Sequence, residues 1–173
     1  VIARQNAAMG TVLFDFTHAA AVQGWNAIDD RVMGGVSRSA LHHDPAGHAV
    51  FQGTVSLERN GGFASVRSSP ADRGRAGATW CLIEVRGDVR QFKLSLLTDD
   101  GFDSVNYQAT FTPERQAWQT LTLPLSGFQP TFRGRAVPGT PPLDPARIRQ
   151  VGLMIAAGQA GPFELHIREI TLA

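Results

Sequence analysis

AVFQGTVSLERNGGFASVR, Ala49 to Arg67, alternates through its first half and breaks at a glycine pair in its second. Ala49, Phe51, Gly53, Val55 and Leu57 fall on one face of an extended chain, and Gln52, Thr54 and Ser56 on the other. Successive side chains of a strand point to opposite faces, so the pattern predicts a strand with one buried side. Asn60-Gly61 alone predicts a tight type I′ turn, because both residues tolerate positive φ.

The same period recurs outward in both directions. Phe92, Leu94 and Leu96 align in QFKLSLL, and Val105, Tyr107, Ala109 and Phe111 in VNYQATF. Leu121, Leu123 and Leu125 align in QTLTLPL, and Phe163, Leu165 and Ile167 in FELHI. TWCLIEV and VGLMIAA are apolar throughout, as expected of central strands covered on both faces. Strands this frequent, punctuated by Gly, Pro and Asp, predict an all-β fold, a jelly-roll β-sandwich. Helical signal is confined to one or two short turns, chiefly DPARIRQ, where Asp144 caps and Pro145 opens the turn. Gly127 to Pro145 reads as a long Pro/Gly-rich connection that is functional or wraps an edge. With no repeat or boundary, residues 11–173 read as one domain, and 1–10 as a tag or disordered start.

Sixteen basic against fifteen acidic residues leave a net charge of +1, so bulk charge offers no reason to bind nucleic acid or an anionic membrane. No apolar run is long enough for membrane insertion as a helix. Cys81 is the single cysteine, which excludes an intrachain disulfide, and its apolar run predicts a buried, inert thiol. A cytoplasmic location is expected. Phosphate-loop, dinucleotide, nucleophile-elbow and zinc-protease motifs are missing, so no cofactor, metal or catalytic residue is assigned and the chain reads as a non-enzyme. His42, His43 and His48 read as a solvated turn rather than ligands. TDDGFD, with Asp99, Asp100 and Asp103, reads as a polar turn in preference to a calcium loop.

Two glycine pairs are more specific. DDRVMGGVS carries Gly34-Gly35 and ERNGGFASVR carries Gly61-Gly62, with Asp30, Arg31, Asn60, Ser65 and Arg67 alongside. Glycine permits positive φ and close backbone approach, so the pairs predict two neighbouring loops rich in N–H groups. Asp30 is expected to meet Arg67 or a backbone N–H, with Val32 and Met33 packed inward. Arg133 and Arg135, two apart in FRGRAVPG, would project together from an extended segment and suit a carboxylate, a phosphate or an acidic protein surface. The alternative is a solvated loop with both arginines paired to local acids.

WNAIDDRVMGGVSRS, FQGTVSLERNGGFASVR, FRGR followed by PLDP, and IRQVGLMIAAGQAGPFELHI stand in that order along the chain. In these segments it resembles the complex I intermediate-associated protein 30 family, from about Val12 to Leu172. The resemblance implies a galactose-binding-domain-like sandwich and, from mitochondrial members, a chaperone-like role in assembling NADH:ubiquinone oxidoreductase. A bacterial stand-alone member is expected. Its matching residues add Trp25 and Ser37 to the candidate binding set of Asp30, Arg31, Gly34, Gly35, Asn60, Gly61, Gly62, Ser65, Arg67, Arg133 and Arg135. The expected partner is a protein, such as a respiratory-complex subunit or assembly intermediate. The alternative is carbohydrate, for which Trp25, Trp118 and Tyr107 are the candidate platforms, although Tyr107 alternates with apolar neighbours and is expected in the core.

Overall fold

A computed structural model describes residues 10–173; the expected tag or disordered start at 1–10 therefore falls, Gly10 apart, outside the described residues. Two antiparallel sheets enclose one apolar core. The first runs β3 (Arg38–Asp44), β4 (His48–Val55), β13 (Gly161–Leu172), β6 (Trp80–Gly87), β9 (Gln119–Pro124), with β1 (Thr11–Asp15) also on β13. The second runs β11 (Arg135–Ala136), β10 (Gln129–Phe132), β8 (Asn106–Phe111), β7 (Phe92–Leu97), β12 (Gln150–Ile155), β5 (Ala64–Ser68), β2 (Trp25–Ala27). This is the expected all-β sandwich. Helical structure among the described residues consists of five short 3-10 turns, more than the one or two expected. The predicted turn at Pro145–Arg147 is one of them, with the Asp144 carboxylate accepting the Ala146 N–H at 3.0 Å.

The long strand β13 organises the first sheet. Its first half pairs with β4, from Gly161 opposite Val55 to Ile167 opposite Ala49, and its second half pairs with β1. Register against β6 shifts between Ile167 and Glu169. One inserted residue reverses which parity faces inward, so Phe163, Leu165 and Ile167 before it and Ile170 and Leu172 after it all reach the core.

In the second sheet Val66, Leu153, Leu94 and Ala109 form one inward row. Leu94 and Leu153 are fully inaccessible, and burying each contributes about 2 kcal/mol. Both apolar runs, β6 and β12, are interior strands as expected, but neither is covered on both faces: Glu84 and Arg86 of β6 and Met154 of β12 are half-buried on the outer faces. Leu57 departs from its alternation: β4 ends at Val55, and Leu57 is half exposed. The Gly127–Pro145 connection also departs from expectation, because β10 and β11 within it extend the second sheet as a hairpin.

Candidate functional site

The glycine pairs converge on one carboxylate. Asp30 is fully buried and accepts hydrogen bonds from the Ser37 N–H at 2.9 Å, the Ser37 hydroxyl, the Gly62 N–H at 2.7 Å and the Phe63 N–H at 3.4 Å. Burial pushes its pKa up, but these donors outweigh burial and hold it below the usual carboxylate value. Asp29 beside it accepts from the Ser39 N–H, the Ser39 hydroxyl and the Ser65 N–H. Within each pair the glycines divide the work. Gly34 and Gly62 take φ of +88° and +137°. At Gly35 and Gly61, by contrast, a Cβ would collide with Asp30, lying 2.5 Å from Oδ2 in the case of Gly61.

This corner clamps three chain segments together, and Asp30, wholly inaccessible inside it, presents no oxygen to a ligand. The pairing of Asp30 with a backbone N–H forms, and the pairing with Arg67 does not, since Arg67 donates to the Phe102 carbonyl. Asn60 has φ +60° but Gly61 has φ −69°, so the type I′ turn is replaced by a 3-10 turn over Glu58–Asn60. Met33 is exposed rather than inward, and the Val32 side chain lies outside the described residues. Trp25 is buried against Phe14 and Phe16, which removes it from any binding surface. Arg31 is exposed beside the corner.

Arg67, Ser65 and Arg133 from the candidate set meet elsewhere, in a groove of about 670 Å³ on the outer face of the second sheet. Strand pairing sets its floor. Asn26, Arg67, Gly152, Ser95, Gln108 and Gln129 occupy one row across six strands, and Ser65, Met154, Lys93 and Thr110 occupy the next outward row. Gly152 contributes no side chain, so the floor is lowest between Arg67 and Ser95. Gln108 donates to the Ser95 hydroxyl at 3.0 Å. Met33 and Phe63 line one side; Phe102, Asp103, Ser104 and the Arg133-Gly134 turn line the other.

Arg67 is held in place by its bond to the Phe102 carbonyl at 2.8 Å and by the Phe102 ring, 5.9 Å away. Burial lowers its pKa, opposed by Asp99 and Asp103. Arg133 pairs with Asp103, Nε to Oδ2 at 3.1 Å. Arg133 and Arg135 do not project together as an extended pair: Arg133 (φ +51°) and Gly134 (φ +76°) form the two-residue β10–β11 turn, and Arg135 begins β11 opposite Phe132. In TDDGFD, Asp100 pairs with Arg149 and Asp99 accepts the Gly101 N–H, which makes it the polar turn expected.

Of the groove residues that sequence reasoning missed, Lys93, Ser95, Asn106 and Gln108 are the outward positions of strands whose inward positions it identified, and Gly152 lies in a run read as covered on both faces. Their signal was the polar half of each alternation and the glycine interrupting VGLMIAA.

On the opposite sheet, His42 and His43 lie in β3 rather than in a turn, and His48 is buried rather than solvated, with its Nε2 2.7 Å from His166 Nδ1. Trp118 is covered there by Arg168 at 3.9 Å and Arg86 at 5.0 Å. Tyr107 is buried with its hydroxyl on the Pro141 carbonyl. None of the three expected aromatic platforms therefore lines the groove.

Structural likeness extends to carbohydrate-binding proteins. The Family 11 carbohydrate-binding module of Clostridium thermocellum, solved with a β-1,3-1,4-mixed-linked tetrasaccharide, superposes with TM-score 0.70 at 17% identity, covering 94% of both chains. An agarase crystal structure gives 0.58 at 13% identity, covering 95% of this chain and 24% of that one. At these identities the likeness is one of fold. An uncharacterized protein of Schizosaccharomyces pombe is 34% identical over 173 residues, covering 86% of this chain and 77% of that protein. Complex I intermediate-associated protein 30, mitochondrial, of Drosophila melanogaster is 28% identical over 185 residues, covering 93% of this chain and 62% of that protein. The family model for Complex I intermediate-associated protein 30 (CIA30) matches residues 14–167, both glycine pairs included, and the chain belongs to that family.

Proposed function

We propose that the chain is a non-enzymatic binding module that holds a protein partner in the groove on the second sheet, in the manner of an assembly factor. One observation carries this: a groove of about 670 Å³ crosses five strands of the second sheet and is flanked by Phe102 and Met33, exposed at 63% and 66%. A concave surface with a few convergent polar groups and apolar walls suits a binding site, and methionine adapts readily to protein partners. Chemistry has little footing there. The lining holds no histidine or cysteine, and its one carboxylate, Asp103, is tied to Arg133. Membership in a family whose Drosophila relative is named for complex I intermediates points to a respiratory-complex subunit or intermediate as the partner. Among the described residues no helix is long and apolar enough to cross a membrane, and the proposed location is cytoplasmic.

Carbohydrate is the second reading, favoured by the likeness to a module solved with a tetrasaccharide. The single exposed aromatic of the groove weighs against it, because sugar rings are held chiefly on aromatic faces.

Gly152→Tyr places a ring on the groove floor, where a Cβ makes ordinary contact at 3.4 Å, without touching the core. Immobilised wild-type chain is expected to retain respiratory-complex subunits from extracts, and the variant to lose them. An identical set on both would sink the reading. A glycan array on which wild type binds and Gly152→Tyr does not would replace protein with sugar.

A further inference from the structure

Resting on that reading of the groove, we infer that its occupant is an extended polypeptide segment bearing an acidic side chain, seated over Gly152 between Arg67 and Lys93.

Charge within the groove is unbalanced. Four charged side chains line it: Arg67, Lys93, Asp103 and Arg133. Asp103 and Arg133 neutralise one another. Arg67 and Lys93 have no carboxylate within ion-pair distance among the described residues; Arg67 touches a carbonyl and a ring face, and Asp99 and Asp103 act on it only from farther away. A partly buried cation with no carboxylate in contact gains from an incoming one, and a guanidinium is shaped to take it bidentately. Both cations overlook the depression left by Gly152: Arg67 is its neighbour on β5, and Lys93 stands on β7, two residues from its other neighbour, Ser95.

Length and shape select a strand-like segment. The lining runs from β5 through β12, β7 and β8 to β10, four inter-strand steps. At about 4.8 Å per step this is roughly 19 Å, the length of about six extended residues. Alternate side chains of such a segment face the floor. The central one meets the two cations. Thr131, Asn106, Gln108 and Ser95 are polar groups placed to meet its backbone.

The test uses a capped peptide of about ten residues, alternating Ser with Leu and carrying two central Glu, against the same peptide with Gln for Glu. Mixed-linked glucan tetrasaccharide and tetragalacturonate are the sugar probes. Each is titrated into ¹⁵N-labelled chain and read at the amides of Ser95 and Gly152. The Glu peptide is expected to bind about tenfold more tightly than the Gln peptide. Arg67→Gln and Lys93→Gln, each with an unchanged thermal midpoint, should each remove most of that ratio, as should raising salt from about 20 to about 200 mM. Equal binding of both peptides overturns the acidic occupant and leaves the groove reading standing. So does binding of tetragalacturonate with the same Arg67 dependence while the peptides do not bind, which would assign the site to acidic glycans. If no probe moves a groove amide, the inference and the groove reading fall together.

Discussion

Asp30 shows how one side chain makes its neighbours' sequence necessary. A buried carboxylate is tolerated only when its lone pairs are filled, and here the donors come from two separate loops. Each loop must bring its backbone against the carboxylate, which excludes a Cβ at Gly35 and Gly61, while Gly34 and Gly62 supply the reversal of direction. The two kinds of glycine should therefore respond differently. Gly34→Ala meets open space and suffers only the left-handed φ, at a cost of about 1 kcal/mol. Gly35→Ala drives a methyl into Asp30 and breaks its bonds to Ser37, for about 3 kcal/mol. Urea unfolding midpoints of both variants check this, and equal losses would show that contact with Asp30 is not what excludes a side chain at Gly35.

Among the elements, β4 and β13 share the contact most sensitive to acid. His48 at the start of β4 meets His166 of β13, with Arg86 and Arg168 nearby, Trp118 against its ring and Asp44 across the turn. Burial and then the positive neighbours lower its pKa below the ordinary 6.5, with only Asp44 opposing. The unfolded chain then binds this proton more readily than the folded one. The stability His48 contributes is present above about pH 6.5 and is lost as pH falls toward the folded value. Thermal midpoints between about pH 7.5 and pH 5.5 should fall more for wild type than for His48→Gln, and parallel curves would exclude His48 as the source. The strands themselves were legible wherever alternation was strong: Phe92-Leu94-Leu96 and Phe163-Leu165-Ile167 face inward as their spacing requires. β1, β2, β10 and β11 were not legible. They are two to five residues long, too short to establish a period, and long-range pairing supplies their hydrogen bonds.

For the whole molecule, Cys81 reports global opening. It is wholly inaccessible in β6, and burial pushes its thiol up to about 12. At about pH 8 the folded chain should resist thiol reagents, with labelling following the unfolding rate in added denaturant. Rapid labelling without denaturant would place Cys81 in a locally mobile strand. The same contrast between local pattern and distant contact runs through the functional site. Arg67, Ser65 and Arg133 were visible as polar residues in unusual loops, but Asp30 has the same signature and proved structural, as did Trp25, which only the family resemblance had added. By itself the sequence determined the two-faced strands, the buried thiol, the need for glycine at both pairs and the family, because these depend on period, composition and local φ preference. Tertiary structure alone decided that Gly34-Gly35 and Gly61-Gly62 close on one buried carboxylate. It also decided that Arg67, Gly152, Ser95 and Gln108 share one row: such neighbours belong to strands far apart in sequence, and register between them is set by the packing of the opposite face.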